Sequence, residues 1–158
     1  MYKPLIALLL GLASSTGALA AAPSPHATST AALEALLACK AGSDFTEAQV
    51  DQAFHAAGLT RDPGSVFEPK NKPVALFGGT VASADVSVSN VHKSLHVYLN
   101  NVDHKRLAKA WSVTTVDDAA QTEEPSYIKQ TDARHTLHVG AADDYEGYSA
   151  SVTCQIHP

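Results

Sequence analysis

Two cysteines, Cys39 and Cys154, stand near opposite ends of the chain with 114 residues between them. Joined, they close a loop through nearly the whole of any domain this chain can form, and the segment around Cys39 must then lie against the segment around Cys154. The compartment decides whether they pair. Lys3, the apolar run from Leu5 to Ala13 and the small-x-small triplet Ala18-Leu19-Ala20 read as a secretory signal peptide over residues 1–20. The apolar run is short for a membrane-spanning helix, and no later segment is apolar enough to span. The protein is therefore expected to be periplasmic or secreted, with no membrane span after cleavage. Thiols in such a compartment oxidise. A loop of that length restrains the unfolded chain by about 4–5 kcal/mol in the chain-entropy model. A competing scheme reads Leu36-Leu37-Ala38-Cys39 as a lipoprotein cleavage box that would lipidate Cys39. Glu34 interrupts the apolar stretch that scheme needs. No C-x-x-C spacing points to a redox or metal-binding thiol pair.

The length of 158 residues fits one domain, expected over residues 30–158 after a flexible lead at 21–29. Hydrophobic residues make up 45% and charged residues 17%, which excludes a disordered chain. Aromatics are only 6%, so the core must be light and aliphatic. The net charge is −5, or about −6 for the 138 residues left after cleavage, which disfavours nucleic acid as a partner.

From Thr30 the pattern is helical, with Leu33, Leu36 and Leu37 on one face and Gly42 as a stop. A second helix has the clearer start. Thr46 is the N-cap, Gln49 completes a capping box, and Phe45 with Val50 forms a hydrophobic staple. Val50, Ala53, Phe54 and Ala57 make its buried stripe, and Gly58 is a left-handed C-cap. Residues 60–73, punctuated by prolines, read as a loop. Period-2 patterns follow. Val74–Phe77 precedes a Gly78-Gly79 turn. Ala82, Ala84, Val86 and Val88 alternate with polar residues, as do Val91, Leu95, Val97 and Leu99. A short third helix has Asp103 as N-cap, Val102 and Leu107 as its staple, and Leu107 and Trp111 on one face. Strands resume near Tyr127, at 134–139 and at 148–156. In the last, Tyr148, Ala150, Val152, Cys154 and Ile156 share a face, so that Cys154 points inward as the disulfide needs. The expectation is an α+β domain, with an antiparallel sheet of five to seven strands packed by two or three helices. A helix followed by strands occurs twice, the pattern that a degenerate internal duplication would leave, although residue identity between the halves is negligible.

No catalytic motif is present: no G-x-S-x-G, H-E-x-x-H, Walker loop or G-x-G-x-x-G. No cofactor is expected. The eight histidines are the first unusual feature. His92 and His96 share a strand face but lie about 13 Å apart along it, too far for one metal to bridge. Cross-strand pairing is what could bring His96 near another histidine. His135 and His138, three apart, fall on opposite faces. The plainer expectation is surface histidines. The alternative is a histidine-based metal-binding protein using His92 and His96, or a pH-sensing role. Clustered acids are the second feature. Asp117, Asp118, Glu123 and Glu124 fall in one predicted loop, and Asp143, Asp144 and Glu146 in another, without calcium-loop spacing. Solvated turns explain them most simply. As a function, they form an acidic surface that steers onto a basic protein, with Tyr127 and Tyr145 as anchors. If the loops lie at one end of the sheet, they make one patch.

A small exported chain with one helix-to-sheet disulfide, acidic loops and no catalytic motif resembles the periplasmic inhibitor and immunity proteins, which neutralise toxins or cell-wall hydrolases. The resemblance is one of plan, and no functional residue transfers with it. It implies a non-enzymatic envelope protein, monomeric or weakly dimeric, that occludes a basic partner through its acidic loops.

Overall fold

The computed structural model describes residues 25–117, 125–142 and 149–158. Residues 1–20, read above as a signal peptide, lie outside the described residues. The chain builds helices α1 (Pro25–Leu37), α2 (Glu47–Ala57) and α3 (His104–Ala110) and strands β1 (Leu59–Thr60), β2 (Glu68–Pro69), β3 (Ala75–Leu76), β4 (Gly79–Val88), β5 (Lys93–Asn100), β6 (Thr115–Val116), β7 (Tyr127–Gln130), β8 (His135–Gly140) and β9 (Ala150–Ile156). Seven strands form one antiparallel sheet in the order β3-β4-β5-β9-β8-β7-β6, and β1 pairs with β2 separately. The domain is thus α+β, as the alternating patterns require. Among the described residues no helix is long and apolar enough to cross a membrane.

The capping box of α2 forms as read. Gln49 N–H donates to Thr46 Oγ1 and Thr46 N–H donates back to Gln49 Oε1. Phe45 and Val50 are both buried, and Gly58 closes the helix at φ +94°. Asp103 caps α3 by accepting from Lys105 N–H. Helix α1 begins at Pro25 rather than Thr30, so the last five residues of the expected lead are helical. Proline fits a helix start because its missing N–H and fixed φ cost nothing there.

One face of the sheet is apolar. Leu95, Val97 and Leu99 of β5 join Ala150, Val152, Cys154 and Ile156 of β9 and Leu137 and Val139 of β8. They pack against Leu33 and Leu37 of α1, Phe54 of α2 and Leu107 of α3. Cys39, just past α1, is bonded to Cys154. The first helix is thereby tied to the last strand, and the Cys39 thiol has no place for a lipid. The tie is reinforced by hydrogen bonds. Thr131 Oγ1 donates to Cys39 O at 2.6 Å, Gly42 N–H donates to Asp132 Oδ2 at 2.8 Å, and a ring nitrogen of His135 contacts the Ser43 carbonyl.

Three expectations are corrected. Strand β4 carries a bulge between Val81 and Ser83, which shifts the pleat by one residue. Val81, not Ala82, faces the core, while Ala84 and Val86 keep their inward side and Val88 runs out to 42% exposure. Val91 does not continue the buried face of β5. It sits in the 89–92 turn at 66% exposure. The β3–β4 turn is centred on Phe77 and Gly78, both at positive φ, as a two-residue hairpin with right-handed strand twist demands. Gly79 instead begins β4, where an added Cβ would lie 2.7 Å from Asn100 O and 2.9 Å from Val102 Cγ1. Phe77 tolerates φ +52° with its ring edge-on to Trp111, centroids 4.4 Å apart.

Candidate functional site: one end and one face of the sheet

The register fixes where the acidic loops leave the sheet. Val116 pairs with Tyr127, Tyr127 with Val139, and Val139 with Val152. Because every neighbour is antiparallel, the end of β6, the start of β7, the end of β8 and the start of β9 stand side by side. Both acidic segments, 117–126 and 141–149, therefore spring from the same end, their stems about 10 Å apart at ordinary strand spacing. They hold seven acids and no Lys or Arg. Each stem is pinned. Asp117 N–H donates to Ser126 O at 2.9 Å. Ser149 Oγ accepts from Val102 N–H and donates to Leu99 O, both at 3.0 Å, which fastens the second stem to the β5–α3 connection.

Of the residues expected at this surface, Asp117 and Tyr127 are described. Asp117 Oδ2 stands 3.7 Å from His138 Nδ1. Tyr127 is half-buried, its ring 6.2 Å from that of His104. Asp118, Glu123, Glu124, Asp143, Asp144, Tyr145 and Glu146 lie outside the described residues.

The sheet face opposite the helices is polar. One row crosses it: Asp85 pairs with His96, His96 with Thr153, Thr153 with His138, and His138 with Ile128. His96 stacks on Tyr98, centroids 4.5 Å apart and planes 22° apart. Its Nε2 is buried with no hydrogen-bond partner among the described residues. Burial pushes the imidazole of His96 below its ordinary range, against the pull of Asp85, and positive charge on His138 pushes the same way. Burial likewise lowers His138, opposed by Asp117 and Gln155. The cross-strand partners of His96 are thus Asp85 and Thr153, and His138 lies one strand further on, beyond Thr153. His92 sits before β5, in the turn where its carbonyl accepts from Ser89 N–H, and is not brought to His96. Among the described residues no three His, Cys, Asp or Glu side chains converge as a metal-binding group.

The expectation of surface histidines fails at two positions. His135 is 2% exposed, with Nδ1 2.6 Å from Asp132 Oδ1 and Nε2 against the Ser43 carbonyl. That contact and backbone donors hold the Asp132 carboxyl well below the usual carboxylate range. His104 is 7% exposed at the first turn of α3, with Nε2 unpartnered among the described residues. Parity placed His135 opposite His138, but its partners are loop groups that no strand pattern announces. Sequence reasoning also missed two open clefts of about 570 and about 630 Å³ on either side of residues 70–73. Lys72 and Pro73 line both, and their shape depends on a loop whose path is not periodic.

Compared with protein-family models, with characterised proteins and with solved structures, the chain finds no match.

Proposed function

We propose that this chain is an exported, non-catalytic binding protein of the inhibitor or immunity type, which occludes a basic cleft on a partner protein with the acidic end of its sheet. The observation that carries the reading is the common origin of the two acidic segments at adjoining strand ends on pinned stems. The two segments carry seven acids and no Lys or Arg in sequence, and a basic partner relieves the repulsion that such a density of like charge brings. Loops on a rigid scaffold are the usual place for recognition residues. The disulfide between Cys39 and Cys154 suits an oxidising compartment.

The test begins with the mature, oxidised protein as bait against envelope and secreted fractions at low and moderate salt. The expected capture is a basic protein whose retention falls as salt rises. Reversing charge at Asp117, Asp118, Glu123 and Glu124 together should then slow association with that protein roughly tenfold or more, with dissociation less affected. Unchanged association kinetics would refute the electrostatic mechanism. Capture of neutral or acidic proteins alone, indifferent to salt, would refute the choice of partner.

A further inference from the structure

Away from the acidic end, the opposite edge of the sheet is only partly covered among the described residues. Strand β3 covers Gly79 and Thr80 of β4, and just before it the Val74 carbonyl accepts from Val81 N–H at 2.9 Å. Phe67 adds a single bridge at Ala84, with Phe67 N–H donating to Ala84 O and Ala84 N–H to Phe67 O. Before Phe67 the chain turns away, Ser65 N–H donating to Asp62 O. In an antiparallel strand, alternate residues aim both backbone groups to the same side. Ala84 aims its pair at Phe67, whereas Ser89 N–H donates to the His92 carbonyl on the β5 side. Val86 and Val88 therefore share the direction of Ala84. Their two N–H and two C=O groups face outward with no partner among the described residues.

The side chains there are apolar. Of the large hydrophobic residues exposed among the described ones, three are Val66, Val88 and Val91, at 40%, 42% and 66%. Val88 lies on the edge itself, Val66 directly precedes the Phe67 bridge and Val91 sits in the turn that ends β4, while Val86 of the same strand is half-buried. Natural edges are usually blunted by Pro, Lys or a covering segment. From Asp85 to Val88 the strand has no Pro or Lys, and its bulge lies well back at Val81/Ser83.

We propose that this edge docks a second copy of the chain, β4 against β4, antiparallel and centred on Ser87. The register is set by the free groups. Centring on Ser87 places Val86 opposite Val88 of the second copy and Val88 opposite its Val86, which satisfies the outward N–H and C=O groups of all four residues. A shift that brings Val88 opposite Ala84 meets groups already bonded to Phe67. The Ser87 register sets valine against valine on the helix-bearing side and Ser87 against Ser87 on the other, and it places Asp85 opposite Ser89, so no like charges face each other. This self-complementarity is why a second copy, rather than an unrelated strand, is the occupant. The product is a two-fold dimer with one continuous sheet, and it leaves the acidic ends free.

Sedimentation velocity of the oxidised full chain should show a dimer that grows with concentration through the micromolar range. Val88→Lys puts a charge on the exposed edge and should weaken the dimer at least tenfold, with an unchanged circular dichroism spectrum and, at concentrations where both proteins are monomeric, an unchanged melting temperature. Ser87→Cys should form an interchain disulfide on mild oxidation, because residues facing each other at a non-hydrogen-bonded position lie about 4.5 Å apart at Cα. Peptide mapping would show Cys39–Cys154 intact in the same sample. A chain that stays monomeric at every concentration, with Ser87→Cys uncross-linked, overturns the proposal. So does a dimer that neither variant affects, since it would use another surface.

Discussion

His96 and His138 take opposite sides of Thr153 on the polar face of the sheet, where burial sets the direction of their titration. Both imidazoles titrate below their ordinary value of about 6.5 in the folded state, chiefly through burial. Between the folded and unfolded values the unfolded chain binds more protons, so stability rises with pH across that window. The contribution is complete above about pH 6.5 and is lost as pH falls toward the lowered values. The charged groups that act on the pair are Asp85, Asp117 and His157, with Gln155 beside His138. The urea midpoint should drop between neutral pH and about pH 5, and a His96→Gln/His138→Gln double variant should show a shallower drop. An equally steep drop in the double variant would assign the acid sensitivity elsewhere. Asp132, whose carboxyl is held low by His135, acts in a separate and more acid window. Strand parity alone puts His96 and His138 on the wet side. Their nearness needs the strand order β5-β9-β8, which no local pattern states. The burial of His135 depends on the Ser43 carbonyl, 92 residues away in sequence.

Helix α2 was readable in its caps and in three of the four residues of its stripe, Ala53 being half-buried, because the signals that make it are local. Cap, box partner, staple and C-terminal glycine fall within residues 45–58. Thr46→Ala removes the acceptor of Gln49 N–H and leaves that donor to water, since Thr46 is exposed. The expected loss is about 1 kcal/mol, read as a lower urea midpoint at unchanged slope. Thr46→Ser should recover most of it, and a Thr46→Ala midpoint equal to the parent would show that tertiary packing alone holds the helix end. Strand β4 shows the contrary case. Its alternation from Ala82 to Val88 is clean in sequence, yet the bulge at Val81/Ser83 breaks the parity that the alternation assumes. A bulge costs one residue of register and leaves no mark in composition. Phe67 was invisible for a similar reason: a single bridge to Ala84 has no period to detect, although the residue is fully buried and packs against Phe54 with centroids 4.5 Å apart and planes tilted by 50°.

At the scale of the molecule, the strand order is two meanders set back to back. Strands β3-β4-β5 follow α2, strands β6-β7-β8-β9 follow α3, and the last strand of each, β5 and β9, pair antiparallel at the centre. That is the layout a duplicated helix–meander unit would leave. The centre of this arrangement is also where the chain is cross-linked. Cys154 pairs with Leu95 on one side and Leu137 on the other, so the bridge to Cys39 fastens α1 to the middle of the sheet. The disulfide acts mainly on the unfolded chain, because the native contact is already held by Thr131 to Cys39 O, by Gly42 to Asp132 and by His135 to Ser43. A Cys39→Ala/Cys154→Ala variant should therefore still fold, with a near-parental circular dichroism spectrum. Its unfolding free energy should fall by several kcal/mol, up to about 4–5 in the chain-entropy model. The slope of unfolding against urea should also rise, because a chain freed of a 115-residue separation constraint expands further when unfolded. A loss below about 1 kcal/mol at unchanged slope would mean that the hydrogen bonds around Cys39, rather than the cross-link, hold the first helix to the last strand.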